Sequence, residues 1–196
     1  MKKAESTRLT ILKKAFELIY SHGYQTTSID EIIAQTKVTK GAFFYHFKSK
    51  DEMGLAIINE IIKPAILSTY DNELNSVKDP SEALFRFTKK LLLESPELLI
   101  QYGCPVGNII QEMTPWNKGF TEILAEIMGE WQHTIEAVIT KGKKSGAIRK
   151  DVNARQVAVF LISGYWGVRN FGKVHNSPAP YSAYLKELKL YLNSLK

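Results

Sequence analysis

The chain has 196 residues, 44 % of them hydrophobic, enough to bury a sizeable core in one elongated helical protein or in one domain with a small companion. No apolar run of about 18 residues is present, so no membrane span and no membrane partner are expected, and the charged, then amphipathic, first ten residues lack the apolar centre of a signal peptide. A single cysteine, Cys104, leaves no disulfide framework and fits a reducing cytoplasm, and with four scattered histidines it forms no metal-site spacing.

The net charge of +6 is unevenly placed. Residues 1–50 hold nine Lys/Arg against four acids, so +5 of the excess lies in the first quarter of the chain. Either an ordinary solvated face or a surface for a phosphate backbone gives such a concentration.

Leu9, Leu12, Phe16 and Ile19 recur at steps of three and four and predict a first helix over 7–21, with Ser6 as its N-cap and Gly23 just past its end. Ser28 followed by Glu31 predicts a capping box that opens a second helix with Ile29, Ile32 and Ile33 inward. After the turn Thr36-Lys37-Val38, Thr39 caps a third helix from Lys40 to His46. A fourth begins near Ser49, with Asp51 and Glu52 in its first turn, and runs to about residue 75 with a kink at Pro64. Further helices are predicted over 82–94, from Cys104 to about Thr114, over 117–142, over 154–172 with Asp151 or Asn153 as cap, and over 181–195, with Ser95-Pro96 as a break. No segment alternates as a strand does. The expected fold class is therefore all-α with about nine helices: an N-terminal three-helix domain over 1–50 and a larger helical domain over 51–196.

The second and third helices, joined by a short turn, match a helix-turn-helix, in which a recognition helix lies in the major groove and its predecessor fixes its angle. The string Thr26-Thr27-Ser28-Ile29-Asp30-Glu31-Ile32, then Val38-Thr39-Lys40-Gly41-Ala42-Phe43-Phe44-Tyr45-His46-Phe47-Lys48-Ser49-Lys50-Asp51, resembles the DNA-binding signature of the TetR family. The resemblance covers about 45 residues; beyond them only length and helix count agree. It implies a homodimeric transcription regulator, commonly a repressor, that leaves a palindromic operator in double-stranded DNA when a small molecule binds.

Chemistry and the resemblance together assign the DNA-facing residues. Gly41 lets the backbone approach DNA closely. Thr39, Lys40, Ala42 and Phe44 form the reading end, and Thr27, Ser28, Tyr45, His46 and Lys50 hold phosphates. Thr27 and Ser28 also read simply as caps, Phe43 and Phe47 as core.

For the larger domain the resemblance implies a ligand cavity and a dimer face. Tyr102, Cys104, Asn108, Met113, Trp116, Phe120, Met128, Trp131, Tyr165, Trp166 and Arg169 have the composition of a pocket for a small hydrophobic or aromatic effector, and equally that of a core. Cys104 in Gly103-Cys104-Pro105 resembles a subgroup whose cysteine senses electrophiles or oxidants; its alternative is a buried thiol acting as a small hydrophobe. Val157, Phe160, Val168, Phe171, Tyr184, Leu188 and Tyr191, with Gly164 permitting close approach, are the expected dimer contacts. No phosphate loop, nucleophile elbow or cofactor motif is present, so no enzyme is expected. A helical adaptor without an effector is the remaining alternative.

Overall fold

The computed structural model describes residues 2–74, 78–95 and 98–196. Residue 75, the expected end of the fourth helix, and Pro96 lie outside the described residues. The elements are α1 (Lys2–His22), α2 (Ile29–Thr36), α3 (Lys40–His46), α4 (Lys50–Ile57), a π turn (Ile58–Ile62), α5 (Lys63–Leu74), α6 (Pro80–Lys89), a second π turn (Lys90–Glu94), a short 3-10 turn (Ile100–Tyr102), α7 (Pro105–Met113), α8 (Lys118–Ser145), α9 (Ala154–His175) and α10 (Ala179–Ser194). α4, the π turn and α5 follow one another without a break; counted once, they leave nine helices and no strand among the described residues. The chain forms two compact units: Met1–Ile66 with Pro105–Ala125, and Leu67–Cys104 with Glu126–Lys196.

In the first unit, α1 begins earlier than its apolar pattern suggests, so Ser6 lies inside the helix, its carbonyl accepting from the Thr10 hydroxyl (2.8 Å). The buried residues of α1 are Ile11, Leu12, Ala15, Ile19 and Tyr20, whereas Leu9 is 43 % exposed. A helix advances about 100° per residue, so the four-residue steps from Ile11 carry the buried stripe away from Leu9. Gly23, at φ +98°, ends α1 in a left-handed conformation that glycine adopts without strain. The Ser28 hydroxyl accepts the Glu31 N–H (3.1 Å), but the Glu31 carboxylate turns to His22 (3.2 Å), so the expected capping box closes on one side only. Lys37 ends α2 at φ 57°, donating its N–H to the Ile33 carbonyl. Thr39 caps α3 through the Ala42 N–H (3.1 Å), and Phe43 and Phe47 are fully buried with ring centroids 5.8 Å apart.

The break expected at Pro64 takes the form of the first π turn. Proline has no N–H to donate and its ring crowds the carbonyl four residues back, so the wider turn of five residues just before it relieves both. In the second unit Asp79 caps α6 through the Ser81 N–H (2.9 Å), with Pro80 in the first turn. Of the two caps expected for α9, Asn153 is the one used, accepting the Gln156 N–H (3.1 Å). The core here is built from Leu84, Phe87, Ile127, Trp131, Ile135, Ile139, Leu161, Tyr165, Tyr181, Leu185 and Leu188.

Candidate nucleic-acid interface and effector site

The α2–turn–α3 segment presents a continuous polar and aromatic surface. Thr39, Lys40, Gly41, Phe44 and Tyr45 are exposed and Ala42 and His46 half-buried, while Phe43 and Phe47 fix the opposite side of α3 in the core. Tyr45 is 79 % exposed, large for an aromatic side chain, and its one ring contact among the described residues is edge-on to His46 (5.0 Å). A Cβ placed on Gly41 would meet nothing within 4 Å, so no contact within the protein demands glycine there. The Lys40 ammonium lies 3.2 Å from the Asp30 carboxylate on α2, both well exposed.

Two expected backbone-gripping residues are placed differently. Thr27 is fully buried, and its hydroxyl donates to the Gly23 carbonyl (2.7 Å). It closes the α1–α2 corner and offers nothing to solvent, whereas Ser28 is an exposed cap. Lys50 is half-buried, with Nζ 3.3 Å from the Gln25 carbonyl and 4.6 Å from the centre of the Tyr24 ring. Burial draws its ammonium below the ordinary lysine range, against the opposing pull of Asp51 and Glu112.

Lys50 belongs to a polar network that sequence reasoning missed. The Asp51 carboxylate accepts from the Tyr24 hydroxyl (2.6 Å) and from the Asn117 amide (2.8 Å), and Glu112 accepts the Gln25 N–H (2.9 Å). Burial, reinforced by Asp51, pushes the Tyr24 phenol far above its usual range, so it stays a donor. A Cβ on Gly54 would stand 2.7 Å from both Tyr24 and Phe120, so only glycine lets α4 run this close. A second tie holds the far end of α3: Arg8 donates to the His46 carbonyl (3.1 Å), covers the Phe47 ring at 4.4 Å, and pairs with Glu60 of the first π turn (2.5 Å). The C-terminus of the candidate recognition helix is thus fixed by one guanidinium held from two other elements.

The expected effector residues are divided. Asn108, Met113, Trp116 and Phe120 belong to the first unit. There Phe120 is fully buried beside Tyr24 (centroids 5.1 Å), Met113 accepts at sulfur from the Gln25 amide (3.3 Å), Asn108 is half-buried, and Trp116 is 81 % exposed and lines nothing. Tyr102, Cys104, Met128, Trp131, Tyr165, Trp166 and Arg169 belong to the second. There a cavity of about 10 Å³, the room of a single water, is lined by Leu84, Phe87, Thr88, Leu91, Trp131, Ile135, Leu161 and Tyr165. Trp131 and Tyr165 are the two expected residues it brings together; Trp166 packs edge-on to Trp131 (6.4 Å), and Tyr102 and Met128 are half-buried. Arg169 is fully buried. It donates to the carbonyls of Leu98 (3.3 Å), Leu99 (3.4 Å) and Gly103 and lies 5.6 Å from the Tyr181 ring, so it ties the segment before Cys104 to α9. Cys104 itself is buried.

Of the expected dimer contacts, Val157, Val168 and Leu188 are buried within their own chain. Gly164 sits against Tyr184 of α10, and Tyr191 packs on Phe160 (centroids 4.5 Å). Phe160 and Phe171 remain exposed and share a face of α9 with Val174, Val159 is exposed beside them, and Gly167 on that face has open space around it. Among the described residues no helix is long and apolar enough to cross a membrane, and no group of His, Cys, Asp and Glu is placed to hold a metal ion.

Residues 11–57 match the family model described as bacterial regulatory proteins, tetR family, and residues 80–188 match the one described as tetracyclin repressor-like, C-terminal domain. The chain is 26 % identical over 181 residues to the HTH-type transcriptional repressor DhaR of Mycobacterium sp. (strain GP1), covering 91 % of this chain and 88 % of that protein. It is 32 % identical over 130 residues to an uncharacterized HTH-type transcriptional regulator in the lacX 3' region of Lactococcus lactis subsp. lactis, covering 66 % of each. The crystal structure of a TetR transcriptional regulator from Chloroflexus aurantiacus J-10-FL superposes with a TM-score of 0.90 at 26 % identity, over 98 % of this chain and 96 % of that one.

Proposed function

The chain belongs to the TetR family of bacterial regulatory proteins, and from that premise we propose that it is a cytoplasmic, homodimeric repressor that holds a palindromic DNA operator and releases it when a small molecule binds. That it is a DNA-binding transcription regulator follows from the family; repression, the palindrome and the effector are the reading offered here. The observation that carries it is the exposed face of α3, where Thr39, Lys40, Gly41, Ala42, Phe44 and Tyr45 project from a helix fixed at both ends. The reading assigns residues 1–50 to DNA and 51–196 to effector binding and dimerisation.

Phe160, Phe171, Val159 and Val174 supply an apolar strip for a second copy of the chain. A two-fold dimer would set two α3 helices in successive major grooves, roughly 34 Å apart. Lys40 and Thr39 would read base edges, while Ser28, Tyr45 and His46 would hold phosphates. The test is selection of bound duplexes from a random-sequence pool, followed by a gel shift at fixed salt. A selected palindrome supports the reading; an absence of sequence preference, or a one-sided motif bound by a monomer, defeats it. A thermal-shift screen of small molecules, followed by DNA release, tests the effector.

One observation favours a second reading for the sensing step. Arg169 places a buried positive charge at the Gly103-Cys104 segment, donating to the Gly103 carbonyl. A thiolate formed at Cys104 would meet that charge, so thiol modification is the alternative trigger. Electrophile treatment that still frees DNA from C104S would exclude it.

A further inference from the structure

We infer that the cavity of the second unit is built for an uncharged aromatic molecule carrying a hydrogen-bond-accepting oxygen; this rests on the reading that the second unit holds the effector. Trp131, nine-tenths buried, lines the cavity, and its indole N–H is buried without an acceptor. The N–H of Trp166, whose ring lies 6.4 Å from that of Trp131, is buried without an acceptor too. So is the hydroxyl of Tyr70, whose ring is 5.3 Å from the lining residue Phe87. An indole N–H can only donate, and buried donors in folded proteins nearly always have acceptors. Of the three, only Trp131 lines the cavity, and its N–H marks a place where an acceptor belongs.

The walls decide the rest of the chemistry. None of the eight lining side chains is charged, and the Thr88 hydroxyl already donates to the Leu84 carbonyl (2.9 Å). Glu130, the carboxylate that raises the Tyr70 phenol after burial does, is not a lining residue. An ionic ligand would lose its hydration with no counter-charge in the wall. Phe87, Trp131 and Tyr165 give the wall three aromatic rings, a lining suited to a flat ring. The cavity as it stands admits one water, so a ring must widen it. Leu91, in its wall, sits on the second π turn, where relaxation to an ordinary α turn would shift the register by one residue and move Leu91 aside.

Three probes of similar size separate the possibilities with the full-length protein: acetophenone, with a carbonyl; ethylbenzene, with none; and the phenyltrimethylammonium cation. Calorimetry and thermal shift should show acetophenone binding about ten-fold more tightly than ethylbenzene, with no binding of the cation. Trp131→Phe keeps a ring and removes the N–H, so it should reduce the acetophenone advantage over ethylbenzene to about three-fold or less, the ratio being read because the smaller side chain alters the room for both. If that variant misfolds, the acetophenone-to-ethylbenzene ratio in the parent protein decides alone. Equal binding of acetophenone and ethylbenzene, preference for the cation, or no binding by any probe overturns the inference. If ethylbenzene binds as well as acetophenone and also frees the selected duplex, the effector site stands and only its acceptor chemistry falls. If no probe binds but the wider screen yields a DNA-releasing compound, the effector reading again survives alone.

Discussion

Replacing Gly41 with alanine separates what α3 needs for folding from what it needs for DNA. The added methyl meets no atom within 4 Å, so it creates no clash inside the protein. Alanine also restricts the unfolded chain and favours the helix, a gain of about 0.5–1 kcal/mol. For a chain of this length, a gain of that size raises the melting temperature by about 1–4 °C. On the DNA side the same methyl stands between Lys40 and Ala42 on the exposed surface and holds the backbone off the groove. Loss of one well-made base contact, about 1–3 kcal/mol, predicts a fall in operator affinity of roughly five- to 150-fold. Differential scanning fluorimetry and fluorescence anisotropy on the selected duplex, at one salt concentration, measure the two effects on the same sample. Unchanged affinity would remove the Gly41 backbone from the groove. A lowered melting temperature would mean that α3 packs more tightly there than its geometry indicates.

Other perturbations are expected to act as follows. Asp30→Ala frees Lys40 from an exposed ion pair, so stability should hardly change while binding to all DNA tightens several-fold with a steeper salt dependence; weaker binding would show instead that Asp30 positions Lys40. Phe171→Glu places a charge on the exposed strip of α9 and should yield monomers in light scattering at micromolar concentration, with affinity for the full palindrome falling to that for a half-site; an intact dimer would move the interface elsewhere. Lys196, through an ion pair of 2.7 Å, holds the Asp79 carboxyl below its ordinary range, so the stabilisation is present above about pH 4 and fades as acid protonates the folded carboxylate. Asp79→Asn keeps the cap on α6 and should flatten the loss of stability below that pH; identical pH–melting curves for variant and parent would show that the pair contributes nothing, a real prospect for groups this exposed.

Local chemistry was legible in the sequence. The caps at Ser28, Thr39 and Asn153 and the left-handed end at Gly23 are set by residues within four positions, and the aromatic string of α3 shows its inward pair, Phe43 and Phe47, by their spacing of four. The ties that orient α3 were not legible. Arg8 and Glu60 are 52 residues apart, and Gln25 and Glu112 are 87 apart, so no periodicity links them. Thr27 reads equally as a cap or as a phosphate ligand, and the sequence does not reveal that its hydroxyl turns back to Gly23 instead. The aromatic-rich stretch from Tyr102 to Trp131 misled for a different reason: core and cavity wall are made of the same residue types, and only packing distinguishes fully buried Phe120 and exposed Trp116 from Trp131 at the cavity.

Lys37 links the fold to its evolution. At φ 57° a side chain with a Cβ is strained by about 1–2 kcal/mol relative to glycine, and this lysine is exposed, so its packing returns little of that. A chain selected for stability alone would place glycine or asparagine at this corner. A cation there, in the turn that leads into α3, makes sense where a polyanion passes close by. Lys37→Gly should therefore raise the melting temperature in scanning fluorimetry and, on the function proposed above, weaken binding to all DNA in anisotropy; unchanged DNA binding would leave the lysine without a role in grip.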